Sequence, residues 1–225
     1  MSEETWNGDR FGLKLTAQLT QALAPVRDGA SLATVVAACA DAAEAPCRGR
    51  QMACGAGCPY CCVLNVAILL PEALVIARSL RERLPARELA ETVAALATHR
   101  SWARWMDDEE RIIKHMSCPF LDNAGSCSIH PVRPLACRGV TSLDSAICRE
   151  VFAPAVTDEM RLVPTDLLRK DAYDEAFTAL AAALTCNGFD DRSIELGAGV
   201  HTFLEHPEYE ELFLKREKLP EGPWR

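Results

Sequence analysis

Cysteines 54, 58, 61 and 62, in the run CGAGCPYCC, place four thiols within nine residues, and Cys118, Cys127, Cys137 and Cys148 follow about fifty-five residues later. Thiolates are soft donors that hold zinc or iron, and closely spaced ones can converge on a single ion or cluster. Gly55, Gly57 and Pro59 let the first run fold tightly enough to aim its sulfurs inward. Neighbouring Cys61 and Cys62 cannot easily reach the same metal, so one serves a main site and the other a second site or the core. Eight candidate thiols are twice what one tetrahedral zinc or one 4Fe-4S cluster takes up. Either two metal centres exist, or several of these cysteines are buried and inert. For a single site the preferred set is Cys54, Cys58, Cys61 and one second-block cysteine, with Cys137, held between Pro134 and Arg138, the choice. Arg133 and Arg138 are then expected to offset thiolate charge and donate hydrogen bonds to sulfur. Three sulfurs from one loop at x3 and x2 spacing differ from the paired C-x2-C knuckles of zinc ribbons, which favours an iron-sulfur cluster over zinc.

Composition narrows the setting. The chain has 225 residues, 49% of them apolar and 25% charged, with a formal net charge of −8. That length supports one substantial core, so a single domain over 1–225 is expected. The acidic balance, with no Lys/Arg cluster, argues against a nucleic-acid partner. The start, MSEETWNGDRFG, lacks the features of a secretory signal. The longest apolar stretch, Val63 to Pro71, is broken by Asn65 and falls short of the roughly 18 residues that cross a bilayer. No membrane association and a cytoplasmic location are therefore expected. In that reducing compartment the eleven cysteines, an odd number, read as metal or redox chemistry and not as disulfides.

The elements around the cysteines read as helices, giving a mainly α fold wrapped around an irregular, loop-built metal site. Leu13, Leu15, Leu19 and Leu23 stripe a helix over 10–23, stopped by Pro25. Ser31 is a plausible N-cap for a second helix to Ala45, ended by Pro46. Pro71 and Glu72 suit the first turn of a helix to about Leu84. Another runs from Pro85 to His99 or beyond, and Asp107 opens an acidic, solvated turn leading to His115. The stretch 117–146, with three prolines and two glycines, reads as irregular loop. Asp166 caps a long helix to Leu184, and two further helices are expected over 195–204 and 209–218. These flanking helices lie within 1–50 and 165–218, around a metal-binding core at 54–148. No alternating strands support a parallel sheet.

The ordered motifs C54-x3-C58-x2-C61-C62, then Cys118-Pro119-Phe120-Leu121, Gly125-Ser126-Cys127-Ser128-Ile129 and Arg133-Pro134-Leu135-Ala136-Cys137-Arg138 resemble the CxxxCxxCC, YkgJ-like cysteine-cluster family. The resemblance covers residues 54–148 and implies zinc or iron chelation. His130 stands where the family often has tyrosine, filling an aromatic slot or adding a nitrogen donor. The motif also occurs in flagellin lysine N-methylases, which implies, as an alternative to a structural, redox or metal-handling protein, a cluster-dependent enzyme acting on a protein or peptide substrate. CxxxCxxC is also the cluster motif of radical S-adenosylmethionine enzymes, but the strands of their barrel are missing. His115 reads as structural or solvated, and His201 and His206, five apart, do not share a helical face. Trp102 and Trp105 read as helix packing, and Cys39, Cys47 and Cys186 as small buried apolar residues.

Overall fold

Side-chain oxygens of Asn7, Asp28, Asp107, Asp144, Asp166 and Glu195 accept backbone N–H groups and open six helices, satisfying donors that a helix start leaves without partners. The computed structural model describes residues 6–153 and 162–224. In chain order, α1 spans Gly8–Leu23, α2 Gly29–Glu44, β1 Ala67–Leu69, α3 Leu70–Arg83, α4 Ala86–Ala103 and α5 Asp108–Ile113. Then come α6 at Leu135–Gly139, α7 at Ser145–Val151, α8 at Leu167–Cys186, β2 at Ser193–Glu195, α9 at Leu196–Glu205 and α10 at Glu208–Leu214. The expected mainly α architecture is what forms. The only sheet among the described residues is the antiparallel pair β1–β2, with Ile68 opposite Ile194.

Helix α8 runs through the core because its buried face is largely alanine. Ala172, Ala176, Ala179 and Ala183 lie under Leu15, Leu19 and Leu23 of α1 and Leu32 and Val35 of α2, so the helix axes approach closely. On another side α6 packs against Tyr173 of α8 at Gly139, where an added Cβ would lie 2.9 Å from the Tyr173 Cβ. Ion pairing locks this junction. Arg169 donates to Glu44 at 3.0 and 2.6 Å and to the Arg138 carbonyl at 3.1 Å, while the Tyr173 hydroxyl donates to Glu44 at 2.6 Å.

Helix α3 follows β1 directly and is almost wholly buried from Leu70 to Ala77. Glu72 is buried with it at 2% exposure. Its two oxygens accept from Leu69 N at 2.9 Å and from Leu135 N at 2.8 Å, so one carboxyl closes the start of α3 and fixes the start of α6. Trp224 docks against Phe203, 5.5 Å between ring centroids.

Several local expectations change. The cap of α2 is Asp28, which accepts from Ala30 and Ser31, while Ser31 is already inside the helix. The stretch 117–146 is not all loop. It contains a 3-10 turn at His130–Val132, helix α6 and a Leu121–Cys127 bridge. Helix α10 ends at Leu214, four residues early, and Arg216 takes a positive φ of 62° beyond it. Trp102 and Trp105 are not packing residues: α4 ends at Ala103, and the two indoles are 61% and 75% exposed. Cys39 and Cys47 are buried as expected, but Cys186, at the last position of α8, is exposed.

Candidate metal centre

The first cysteine block folds as a loop followed by a 3-10 turn at Tyr60–Val63. Gly57 takes a φ of +79°, a region that only glycine enters without strain. Facing it, the segment Cys118–Ser128 forms a tight hairpin: the Asp122 carboxylate accepts from Ala124 and Ser126, and Gly125 turns the chain at φ +75°. A side chain at Gly125 would sit 3.3 Å from the Gly57 carbonyl and 3.5 Å from Pro59, so the two blocks meet backbone to backbone. Cys118 N donates to the Cys62 carbonyl at 2.7 Å, joining them again beside the sulfurs.

At the other end of the first block, Ser142 acts as a clip. Its N–H donates to the Cys54 sulfur at 3.2 Å, and its carbonyl accepts from Ala53 N at 2.9 Å. The Ser142 hydroxyl donates to the Asp144 carbonyl at 2.8 Å at the entrance to α7, the helix that carries Cys148. Cys137 sits on α6, which Glu72 and Gly139 position from the core side.

All eight motif cysteines are free thiols; Cys54 is exposed, Cys148 is buried and the other six are half-buried. Burial pushes the Cys118 and Cys137 thiols up to about 12. Cys61 is raised too, first by its hydrogen bond with the adjacent Cys62 thiol and then by burial. Burial also raises Cys148. The groups that act on each thiol show who its neighbours are. Cys118 is influenced by Cys137 and Cys127, Cys137 by Cys61 and Cys127, and Cys148 by Cys54, Cys61 and Cys58.

Arg133 is the cation beside this group, counteracting the rise at both Cys61 and Cys137, and its guanidinium also donates to the Cys137 carbonyl. Arg138 is turned elsewhere. It donates to the carbonyls of Arg133 at 2.6 Å and Pro131 at 3.3 Å, bracing the backbone of the second block. Cys54 and Cys58 both act on Cys148, while Cys61 acts on Cys137, the fourth partner preferred from sequence. His115 and His130 are exposed, and His206 stacks on Tyr209 at 4.7 Å.

The chemistry of this donor set fits a thiophilic metal: thiols from four separate segments gather in one region, Cys61, Cys118, Cys137 and Cys148 among them shifted toward the protonated form, with a guanidinium alongside. They are gathered without being closed on one point, since among the described residues no three His, Cys, Asp or Glu side chains stand close enough to hold an ion. Ligation would deprotonate them, and the cation would supply the charge that burial now withholds.

Sequence reasoning missed two supports of this region. Ser142 has no motif to mark it, and Glu72 looks like an ordinary acidic residue in a first helical turn. It also missed a buried cluster beyond Cys118. Arg111 donates to Glu195 at 3.4 Å, and His99 lies next to this pair with neither ring nitrogen partnered among the described residues. Burial lowers the His99 pKa, with Glu195 opposing.

Helices packed around a loop-borne cluster of thiols define a helical cysteine-cluster protein. The chain belongs to the CxxCxxCC family, putative zinc- or iron-chelating domain, whose model matches residues 53–187, more than half of the chain. The match extends past the last motif cysteine onto α8, the helix against which α6 packs. Comparison with curated proteins and with solved structures found no match.

Proposed function

We propose that the cysteine cluster binds a thiolate-ligated metal cofactor, an iron-sulfur cluster of the 4Fe-4S type in preference to zinc, in a structural, redox or metal-handling protein. The observation that carries this reading is the meeting of the two cysteine blocks, through the Cys118 N to Cys62 O bond and the Gly125–Gly57 contact, which brings thiols more than fifty residues apart in sequence into one half-buried group. The candidate ligands are Cys54, Cys58, Cys61, Cys62, Cys118, Cys127, Cys137 and Cys148. When bound, an iron-sulfur cluster supplies one-electron transfer, whereas zinc with four thiolates has no open position and supplies stability. Arg133 would temper the negative charge of the thiolates, and the Ser142 N–H would donate to the Cys54 sulfur.

A binding role is preferred to the alternative, cluster-dependent modification of a protein or peptide; two surface clefts lie away from the cysteines. These clefts, of about 550 and 730 Å³, are lined by residues such as Arg192 and Trp224, and Arg78 and Glu210, with no motif cysteine in either. No helix among the described residues is long and apolar enough to cross a membrane. The test is metal and acid-labile sulfide analysis, with optical and electron paramagnetic resonance spectra, on protein purified without oxygen. Iron with sulfide is the expected result. Colourless protein with stoichiometric zinc would move the role to a closed structural or metal-handling site, and protein without metal would overturn the reading.

A further inference from the structure

The eight motif thiols do not share one environment. Cys118, Cys127 and Cys137 pack against the main hydrophobic core, the one built on α1, α2, α3, α8 and α9. Cys148 belongs to a second, smaller apolar cluster with Val63 and Phe152, against which Tyr60, Cys61 and Leu64 are packed. Each group also has its own backbone scaffold. Cys118 and Cys127 flank one hairpin, closed by Ser128 N to Phe120 O at 2.8 Å and by the Leu121–Cys127 bridge, and Cys137 arrives on α6 from the core side. Cys54 and Cys148 are joined instead through Ser142, whose N–H meets the Cys54 sulfur at 3.2 Å and whose hydroxyl engages Asp144 at the start of the Cys148 helix.

Cys61 and Cys62 stand between the two groups. The 3-10 turn that carries them packs Cys61 onto the smaller cluster, while the Cys62 carbonyl accepts from Cys118 N of the larger one. Their two thiols are hydrogen-bonded to each other, so the pair sits on the seam between the groups, within reach of both.

We propose that the cluster is two metal centres: one built from Cys118, Cys127 and Cys137, the other from Cys54, Cys58 and Cys148, with Cys61 and Cys62 each supplying one thiol to a different centre. Four thiolates per centre use all eight motif cysteines and leave none over. The remaining three, Cys39, Cys47 and Cys186, stay outside. The inference rests on the metal-binding reading above, and its test separates the two.

The experiment titrates the reduced, metal-free full-length protein with cobalt(II) under argon and follows the thiolate-to-cobalt charge-transfer absorbance. The expected endpoint is two equivalents per chain. One equivalent would overturn the two-centre assignment while leaving metal binding intact, and no thiolate absorbance would overturn both. The partition is tested with two double variants. Cys54→Ser/Cys148→Ser, within one group, keeps one equivalent, whereas Cys127→Ser/Cys148→Ser, across groups, leaves no stoichiometric endpoint. Equal cobalt counts in the two would overturn the partition. Helix content by circular dichroism accompanies each variant. Where it falls, the wild-type endpoint and the number of cobalt ions per chain by native mass spectrometry decide the matter.

Discussion

Replacing Glu72 by glutamine tests the most demanding feature of the core, a carboxyl at 2% exposure that serves two backbone donors. Burial raises its pKa from 4.5 to about 7, against the lowering effects of the Leu135 and Leu69 N–H groups and of Arg138. Because the folded-state value lies above the unfolded one, the folded protein binds more protons between those two pH values. Stability is therefore lost as pH rises from about 4.5 to 7. At about 1.4 kcal/mol per pH unit, the rise from 4.5 to about 7 corresponds to about 3 kcal/mol. Glutamine does not titrate, keeps one carbonyl acceptor, and presents an amide N–H₂ to the other backbone donor, at a cost of about 1–3 kcal/mol that does not depend on pH. Urea unfolding of both proteins at pH 5, 6, 7 and 8, under the same metal conditions, gives the difference between them. The variant is expected to be less stable at pH 5 and to gain on the wild type by about 2.5 kcal/mol by pH 8. A difference that stays level across this range would refute the claim that the Glu72 carboxyl is held up by burial.

Four further expectations concern separate parts of the molecule. Gly139→Ala should lower stability by about 1–3 kcal/mol in thermal unfolding, although alanine is the better helix former, because the new Cβ would meet the Tyr173 Cβ at 2.9 Å. Arg169→Leu should cost about 1–3 kcal/mol in urea, a range kept low because the Glu44 side chain is 38% exposed and can be rehydrated. Cys58→Ser and Cys61→Ser should lose metal, whereas Cys39→Ser, at a fully buried position where the thiol donates to the Ala176 carbonyl at 3.5 Å, should retain full metal; equal metal content in all three would refute the ligand assignment. Trp102→Ser and Trp105→Ser should each change stability by less than about 0.5 kcal/mol, since both indoles stand in solvent.

The helices were legible because their signals are local. Prolines, acidic caps and leucine spacing name α1, α3, α4, α8 and α9 to within a few residues, and even the misplaced cap of α2 misses by only three positions, from Ser31 to Asp28. Helix α6 was not legible. Five residues, LACRG, carry no period, and their helix is held by Glu72, sixty-three positions earlier, and by a glycine pressed against Tyr173. The candidate ligand residues could be read from type and spacing, but the grouping proposed for them could not. It depends on Ser142 and on which apolar cluster each loop packs against, and both are long-range facts. The tryptophans misled for a related reason: pairing them on one helix face presumed that α4 continued to 105, and it ends at Ala103.

The distance in sequence between the two cysteine blocks sets a timetable for the protein's own synthesis. Cys62 leaves the ribosome 86 residues ahead of Cys148. At roughly 5–20 residues per second, the first block waits about 4 to 17 s before the last of its partners exists. During that interval Cys54, Cys58, Cys61 and Cys62 have neither Ser142 to clip them nor the hairpin to cover them, and four adjacent thiols are chemically disposed to pair with one another or to be oxidised. Recovery of correctly loaded protein should therefore respond to how reducing the surroundings are while the chain is being made, more than to how much metal is offered to it afterwards.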